Sequence, residues 1–195
     1  HGTDSLVGEG NRFDNLLTDA TAATVVLSGF AGDDTLVGGG GSDSLTGGIG
    51  DDWYRLTGDG ASVFELDGEG HDIVLIDHSV STFQLSPFVE EVYLLSGPLD
   101  LTGNSIDNIV HGSSGNDTLD GGVGADTLNG GLGTDLFVID SSGDIINADS
   151  TSLDHIASSL QDYTLASGFS HLFLRSGAVS GTGKLRPIIP CNNVF

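Results

Sequence analysis

The chain has 195 residues, of which 28 are Asp or Glu and only 5 are Lys or Arg, giving a formal net charge of −23. That balance excludes nucleic acid and anionic membrane surfaces as partners, because phosphates recruit basic side chains. It also opposes compaction, and 31 glycines add to the entropy lost on folding, so the chain is expected to be largely disordered until divalent cations neutralise it.

Residues 1–28 read as degenerate repeats. His1–Val7 has the form of the last seven positions of a nine-residue unit already under way, with Asp4 at position six and Leu6 at position eight. The chain therefore reads as a fragment of a longer repeat protein. GNRFDNLLT (10–18) places Asn15 and Leu17 at those two positions. ATAATVVLS (20–28) keeps only the apolar Leu27 and is expected to be a metal-free rung.

Residues 29–55 cut into GFAGDDTLV, GGGGSDSLT and GGIGDDWYR. Position six is Asp34, Asp43 and Asp52; position eight is Leu36, Leu45 and Tyr54; positions one and four are Gly29, Gly38, Gly47 and Gly32, Gly41, Gly50. Residues 56–102 change character: glycine thins out and apolar residues crowd in VFEL, DIVLI and VEEVYLL, which predicts longer strands around a thicker core. The aromatic residues there, Phe64, Phe83, Phe88 and Tyr93, are expected in that core.

A second array runs over 103–138. It opens with GNSIDNIVH, which matches 10–18 and carries Asn108 at position six. GSSGNDTLD, GGVGADTLN and GGLGTDLFV follow, with Asp117, Asp126 and Asp135, then Leu119, Leu128 and Phe137, and glycines Gly112, Gly121, Gly130 and Gly115, Gly124, Gly133. The second array repeats the first at one fixed offset, so that Asp117 answers Asp34 and Asp135 answers Asp52. The apolar segment also returns, in 139–183, at a slightly shorter offset that pairs Phe83 with Tyr163 and Val92 with Leu172. Residues 184–195 (KLRPIIPCNNVF) are foreign in composition and read as an atypical tail.

Elementary chemistry explains the unit. Six glycine-rich residues make a tight turn, since glycine reaches positive φ at little cost. The remaining three form a short strand whose middle residue points inward. One unit cannot bury that residue alone, so units must stack. Two units make a coil of about 18 residues, which brings position-six carboxylates of units n and n+2 about 4.8 Å apart. They repel unless a cation lies between them. The turn carbonyls complete an all-oxygen cage of the kind Ca²⁺ prefers. The expected pairs are Asp34 with Asp52, Asp117 with Asp135, and Asp126 with Asn108 and Asp144. Asparagine brings no charge, so its sites should be weak. A metal-free solenoid, in which Asp, Asn and Gly serve only the turns, is the alternative.

The arrays resemble the RTX (haemolysin-type) calcium-binding nonapeptide repeat, GGxGxD followed by any residue, a large apolar residue and any residue. The resemblance implies an all-β, right-handed parallel β-roll with two calcium-binding arrays joined by longer-stranded β segments. It implies several Ca²⁺ ions and no catalytic residue in this stretch. It further implies a secreted bacterial protein exported through a type I system, folding on extracellular calcium and attached to parent-protein domains. Two other readings stay open: the C-terminal part of a secreted hydrolase or polysaccharide-modifying enzyme, and a calcium-stiffened adhesin or surface-layer segment with a host-surface or polysaccharide ligand.

Other motifs carry less. AVSGTGKL (178–185) is a poor P-loop, since Ala178 and Leu185 replace its first glycine and its Ser/Thr. The six histidines lack metal spacing and are assigned no role. Cys191 is the only cysteine, so no internal disulfide forms. No apolar run approaches the roughly 20 residues of a membrane span.

Overall fold

The computed structural model describes residues 6–182, apart from positions 22, 59, 78–81, 150–152, 161, 165–168, 170 and 175–179. The tail at 184–195 and the glycine-rich run 178–185 fall almost wholly outside that range, as does Asp4.

All regular structure is β. The strands are β1 (Leu6–Asn11), β2 (Leu16–Thr18), β3 (Val25–Ala31), β4 (Thr35–Gly38), β5 (Ser44–Ile49), β6 (Trp53–Leu56) and β7 (Ser62–Phe64). Then come β8 (Ile73–Ile76), β9 (Thr82–Gln84), β10 (Glu91–Leu94), β11 (Asp100–Thr102), β12 (Ile109–His111), β13 (Thr118–Asp120) and β14 (Thr127–Gly131). The last are β15 (Leu136–Ile139), β16 (Ile145–Ala148), β17 (His155–Ser158), β18 (Asp162–Thr164), β19 (His171–Leu174) and β20 (Ser180–Thr182).

Every pairing is parallel and joins a strand to the next but one, never to its chain neighbour. The even strands β2 to β16 make one eight-stranded sheet. The odd strands make a four-stranded sheet (β1 to β7) and a six-stranded one (β9 to β19), while β18 and β20 pair with each other. Two half-coils per turn, one on each face, is the architecture of a β-solenoid. Leu36 faces Tyr54 and Leu119 faces Phe137, each pair separated by the two nine-residue units that make one coil. The longest coil runs from Trp53 to Ile73, where a two-residue insertion swells the turn.

The core is one continuous cluster of inward side chains. Leu36, Leu45, Tyr54, Leu119, Leu128 and Phe137, the position-eight residues of both arrays, are each 0% exposed. Burying a side chain of this size contributes about 1.5–3 kcal/mol.

The segments between and after the arrays differ from expectation. Strands β7 to β11 contain three or four residues each, as do β16 to β20, so they are no longer than the array strands. Their apolar crowding has another origin. In β8, Val74 and Ile76 point inward while Ile73 and Leu75 are only half-buried, so both faces of one short strand are apolar. Phe64 is exposed rather than core, and Tyr93 stacks on the His111 ring outside it, with ring centroids 4.0 Å apart.

Candidate metal centre

A strand residue two before an inward residue also points inward, so position six must bury whatever it carries. Asp34, Asp43, Asp52, Asn108, Asp117, Asp126 and Asp135 are all buried, none more than 2% exposed. The cost of burying carboxylates is partly met by backbone donors. On the even face the Asn15 N–H donates to Asp34 Oδ1 at 2.7 Å, the Asp34 N–H to Asp52 Oδ1 at 2.7 Å, and the Asp52 N–H to Asp72 Oδ1 at 2.9 Å. Further along, Asn108 donates to Asp126 at 2.8 Å and Asp126 to Asp144 at 3.1 Å. On the odd face Val25 donates to Asp43, Leu99 to Asp117, Asp117 to Asp135 and Asp135 to Asp154, at 2.9–3.0 Å. The n, n+2 stacks expected from the repeat are therefore columns in which one oxygen of each acid is tied to the neighbouring coil.

The second oxygen separates two kinds of turn. In one kind the N–H at position two closes back on position six: Gly39 on Asp43 Oδ2, Ser113 on Asp117 Oδ2, Asp140 on Asp144 Oδ2, Asn11 on Asn15 Oδ1 and Asn104 on Asn108 Oδ1, at 2.7–3.2 Å. In the other kind the second oxygen accepts no hydrogen bond although it is buried; this holds for Oδ2 of Asp34, Asp52, Asp126 and Asp135. The same four turns have positive φ at position two: Phe30 (83°), Gly48 (99°), Gly122 (84°) and Gly131 (84°). None of the five closed turns does. A left-handed residue at position two thus goes with an open carboxylate oxygen.

Glycine makes the room that each of these oxygens occupies. A Cβ built on Gly29, Gly47, Gly121 or Gly130, all at position one, would overlap Oδ2 of Asp34, Asp52, Asp126 or Asp135 respectively. At Gly29 the same point lies 2.8 Å from the Gly47 carbonyl oxygen. At position four, a Cβ on Gly50 or Gly133 would overlap the carbonyl oxygen of Gly32 or Gly115 in the coil before. A Cβ on Gly41, Gly112 or Gly124 would also overlap a carbonyl oxygen, of Ala23, Gly130 or Ile106, whereas one on Gly38 would meet nothing nearer than 3.3 Å. A buried carboxylate oxygen that accepts no hydrogen bond, with a carbonyl beside it at Asp34, is the kind of donor a hard cation takes.

Burial also shifts the acids. It is the largest influence on Asp52, raised to about 7, and on Asp126 and Asp135, raised to about 6. The carboxylates of adjoining coils push the same way, Asp72 on Asp52 and Asp144 on Asp126. Asp34 is raised as well, again chiefly by burial.

Besides Asp144, three acids in these columns lie outside the arrays. Asp72, Asp154 and Glu90 occupy position six of degenerate units, the clearest being DGEGHDIVL (67–75), which departs from the pattern only at position one and follows a two-residue insertion. That spelling was the available signal. Two histidines also have partners: Nε2 of His71 and of His111 lie 3.1 and 2.9 Å from the two Glu91 oxygens.

A family model described as the RTX calcium-binding nonapeptide repeat matches the chain in four copies, over residues 28–60 and 102–137. No curated protein and no solved structure shows significant similarity to it.

Proposed function

The chain carries RTX calcium-binding nonapeptide repeats and is a calcium-binding β-roll module; from that premise we propose that it serves a secreted bacterial protein, folding when it meets extracellular calcium. The observation that carries this reading is the set of four buried carboxylate oxygens, on Asp34, Asp52, Asp126 and Asp135, that accept no hydrogen bond and adjoin glycine turns. Calcium supplies the charge that these oxygens lack. Asp34, Asp52, Asp126 and Asp135 would hold the ions, with carbonyls of the position-one and position-four glycines completing the shells. Asp43 and Asp117, whose second oxygens are closed on their own turns, and Asn108, whose one side-chain oxygen is closed in the same way, bind only if those turns open.

Folding linked to binding makes the module a sensor of location. Extracellular calcium modules have Kd of about 10⁻⁴–10⁻³ M, far above cytosolic calcium, so the chain stays unfolded until it is outside. A far-UV circular-dichroism titration tests this. The chelated chain should be mostly coil and become β-rich as calcium reaches the millimolar range. A β-rich spectrum in excess chelator overturns calcium-driven folding. A midpoint below about 10⁻⁶ M overturns the secretory reading, since the chain would then fold before export.

A further inference from the structure

At the end of the first array the coil lengthens. The hydrogen bond between coils spans 18 positions from Asp34 to Asp52 and 20 positions from Asp52 to Asp72. The added length places one acid where the repeat has none. Strand β7 stacks on β5 with Phe64 beside Thr46, so the next residue, Glu65, takes the place that Gly47 holds one coil earlier. Gly47 is the position-one glycine whose missing Cβ makes room for Asp52 Oδ2. Glu65 thus brings a carboxylate to the spot where an open one already lies.

Oxygens of Asp52, Glu65 and Asp72 all lie within 4.8 Å of one another. The three residues are 0%, 7% and 1% exposed. Both Glu65 oxygens and Asp52 Oδ2 accept no hydrogen bond. Among the described residues no ion pair reaches the group; Arg55 pairs with Asp77, and His71 and His111 with Glu91. Burial, then the Asp72 and Asp52 charges, push Glu65 up to about 8; the nearby Gly47 amide, which donates to the Tyr54 hydroxyl at 2.6 Å, counters them only in part. Three acids this close and this dry are stable together only if protonated or shared by a cation. Protonation would explain a neutral Glu65. It would still leave both of its buried oxygens without a hydrogen bond.

The geometry suits a specific ion. Oxygens bound to Ca²⁺ at about 2.3–2.6 Å stand at most about 5 Å apart, and a donor set of carboxylates alone selects a hard cation. We propose that Asp52, Glu65 and Asp72 form a calcium site at the junction between the first array and the segment that follows, outside the nonapeptide pattern because Glu65 belongs to no repeat. It shares Asp52 with the array and in that respect rests on the calcium reading above. Its role is to fasten the long coil, where the column would otherwise lose its regular rise.

Native mass spectrometry of the full chain in calcium counts the ions. Glu65→Gln keeps the side chain's shape and removes its charge, and it should bind one ion fewer than wild type with its circular dichroism unchanged. Should the amide prevent folding, Glu65→Leu, which adds no polar group to the interior, carries the same count. Equal counts in wild type and a folded Glu65 variant overturn the junction site and leave the arrays as calcium sites. A wild type that binds a single ion, lost in the variant, supports the junction and overturns the arrays. A wild type that binds none overturns both.

Discussion

In the first array, Asp34 and Asp52 leave an oxygen open and lie on the same face of the solenoid, while Asp43 between them is closed on the other. In the second, Asp126 and Asp135 are open on opposite faces, and Asp117, stacked against Asp135, is closed by Ser113. Both arrays obey one nine-residue spelling, so the spelling alone does not decide which acids stay unsatisfied. Position six decides that a carboxylate is buried. The backbone at position two decides whether it is satisfied within its own turn. The faces differ because the offset between the arrays spans nine strands, from β4 to β13, and an odd number of half-coils crosses to the other side. The same count carries β10 to β19, which lies in the opposite sheet.

The largest expected effect is withdrawal of calcium. If open oxygens are what calcium neutralises, chelation should unfold both arrays together, seen as loss of the far-UV β signal and of Trp53 fluorescence in one transition. An array that keeps its signal in chelator would mark the other as the calcium-dependent one.

Next in size, Leu45→Ala in the first array and Leu128→Ala in the second each remove a fully buried position-eight side chain. Each should cost roughly 2–5 kcal/mol in urea or thermal unfolding at saturating calcium. Asp126→Ala should instead raise the calcium midpoint and approach wild-type stability when calcium is abundant, because a weakened site is offset by more ligand. An unchanged midpoint would mean that the open oxygen of Asp126 holds no ion.

Smaller effects belong to position two. Phe30 is an exposed non-glycine residue at φ 83°, and Phe30→Gly should stabilise the calcium-bound chain by about 1 kcal/mol. Gly131→Ala, at φ 84° and with its Cβ driven onto the Ser113 carbonyl, should destabilise by more than that and raise the calcium midpoint. Matching melting temperatures for wild type and Phe30→Gly would show that the first turn is not strained.

The smallest difference is in pH. An acid raised above its unfolded value of about 4 holds its proton longer when folded, so the metal-free fold is favoured at low pH and weakens as pH rises through that window. The decline should continue to about pH 8 at the end of the first array, through Asp52 and then Glu65, but end near pH 6 for Asp126 and Asp135. Trp53 fluorescence of the chelated chain, followed as pH is lowered through that window and the protonated acids favour the fold, reports the first array; the second, lacking tryptophan, can be followed by amide exchange at Leu128.

Much of this was legible in the spelling. Glycine, aspartate and one large apolar residue at fixed spacing give the coil length, the buried acids and the core cluster, because period-two alternation leaves those side chains nowhere else to point. Glu65 was hidden since its meaning comes from the coil before it: Gly47 stands in the matching place there, and only stacking reveals the substitution. The turn conformations were hidden for a related reason. Gly39 and Gly48 are the same residue at the same position, yet one is left-handed and the other is not, and no residue type records that choice. The apolar runs misled because a strand apolar on both faces spells much like a longer strand with one.

Strand partners in this stack are never far apart in the chain: among the described residues the separation is 16 positions between β17 and β19 and reaches 20 only between β6 and β8. No step of assembly closes a loop longer than one turn of the stack, and the entropy of closing each grows only as the logarithm of its length. Folding time should therefore depend on starting the first coil and hardly on how many follow. A chain released from one end can take up its structure behind the point of release, each coil using the last as its template, before the far end has emerged.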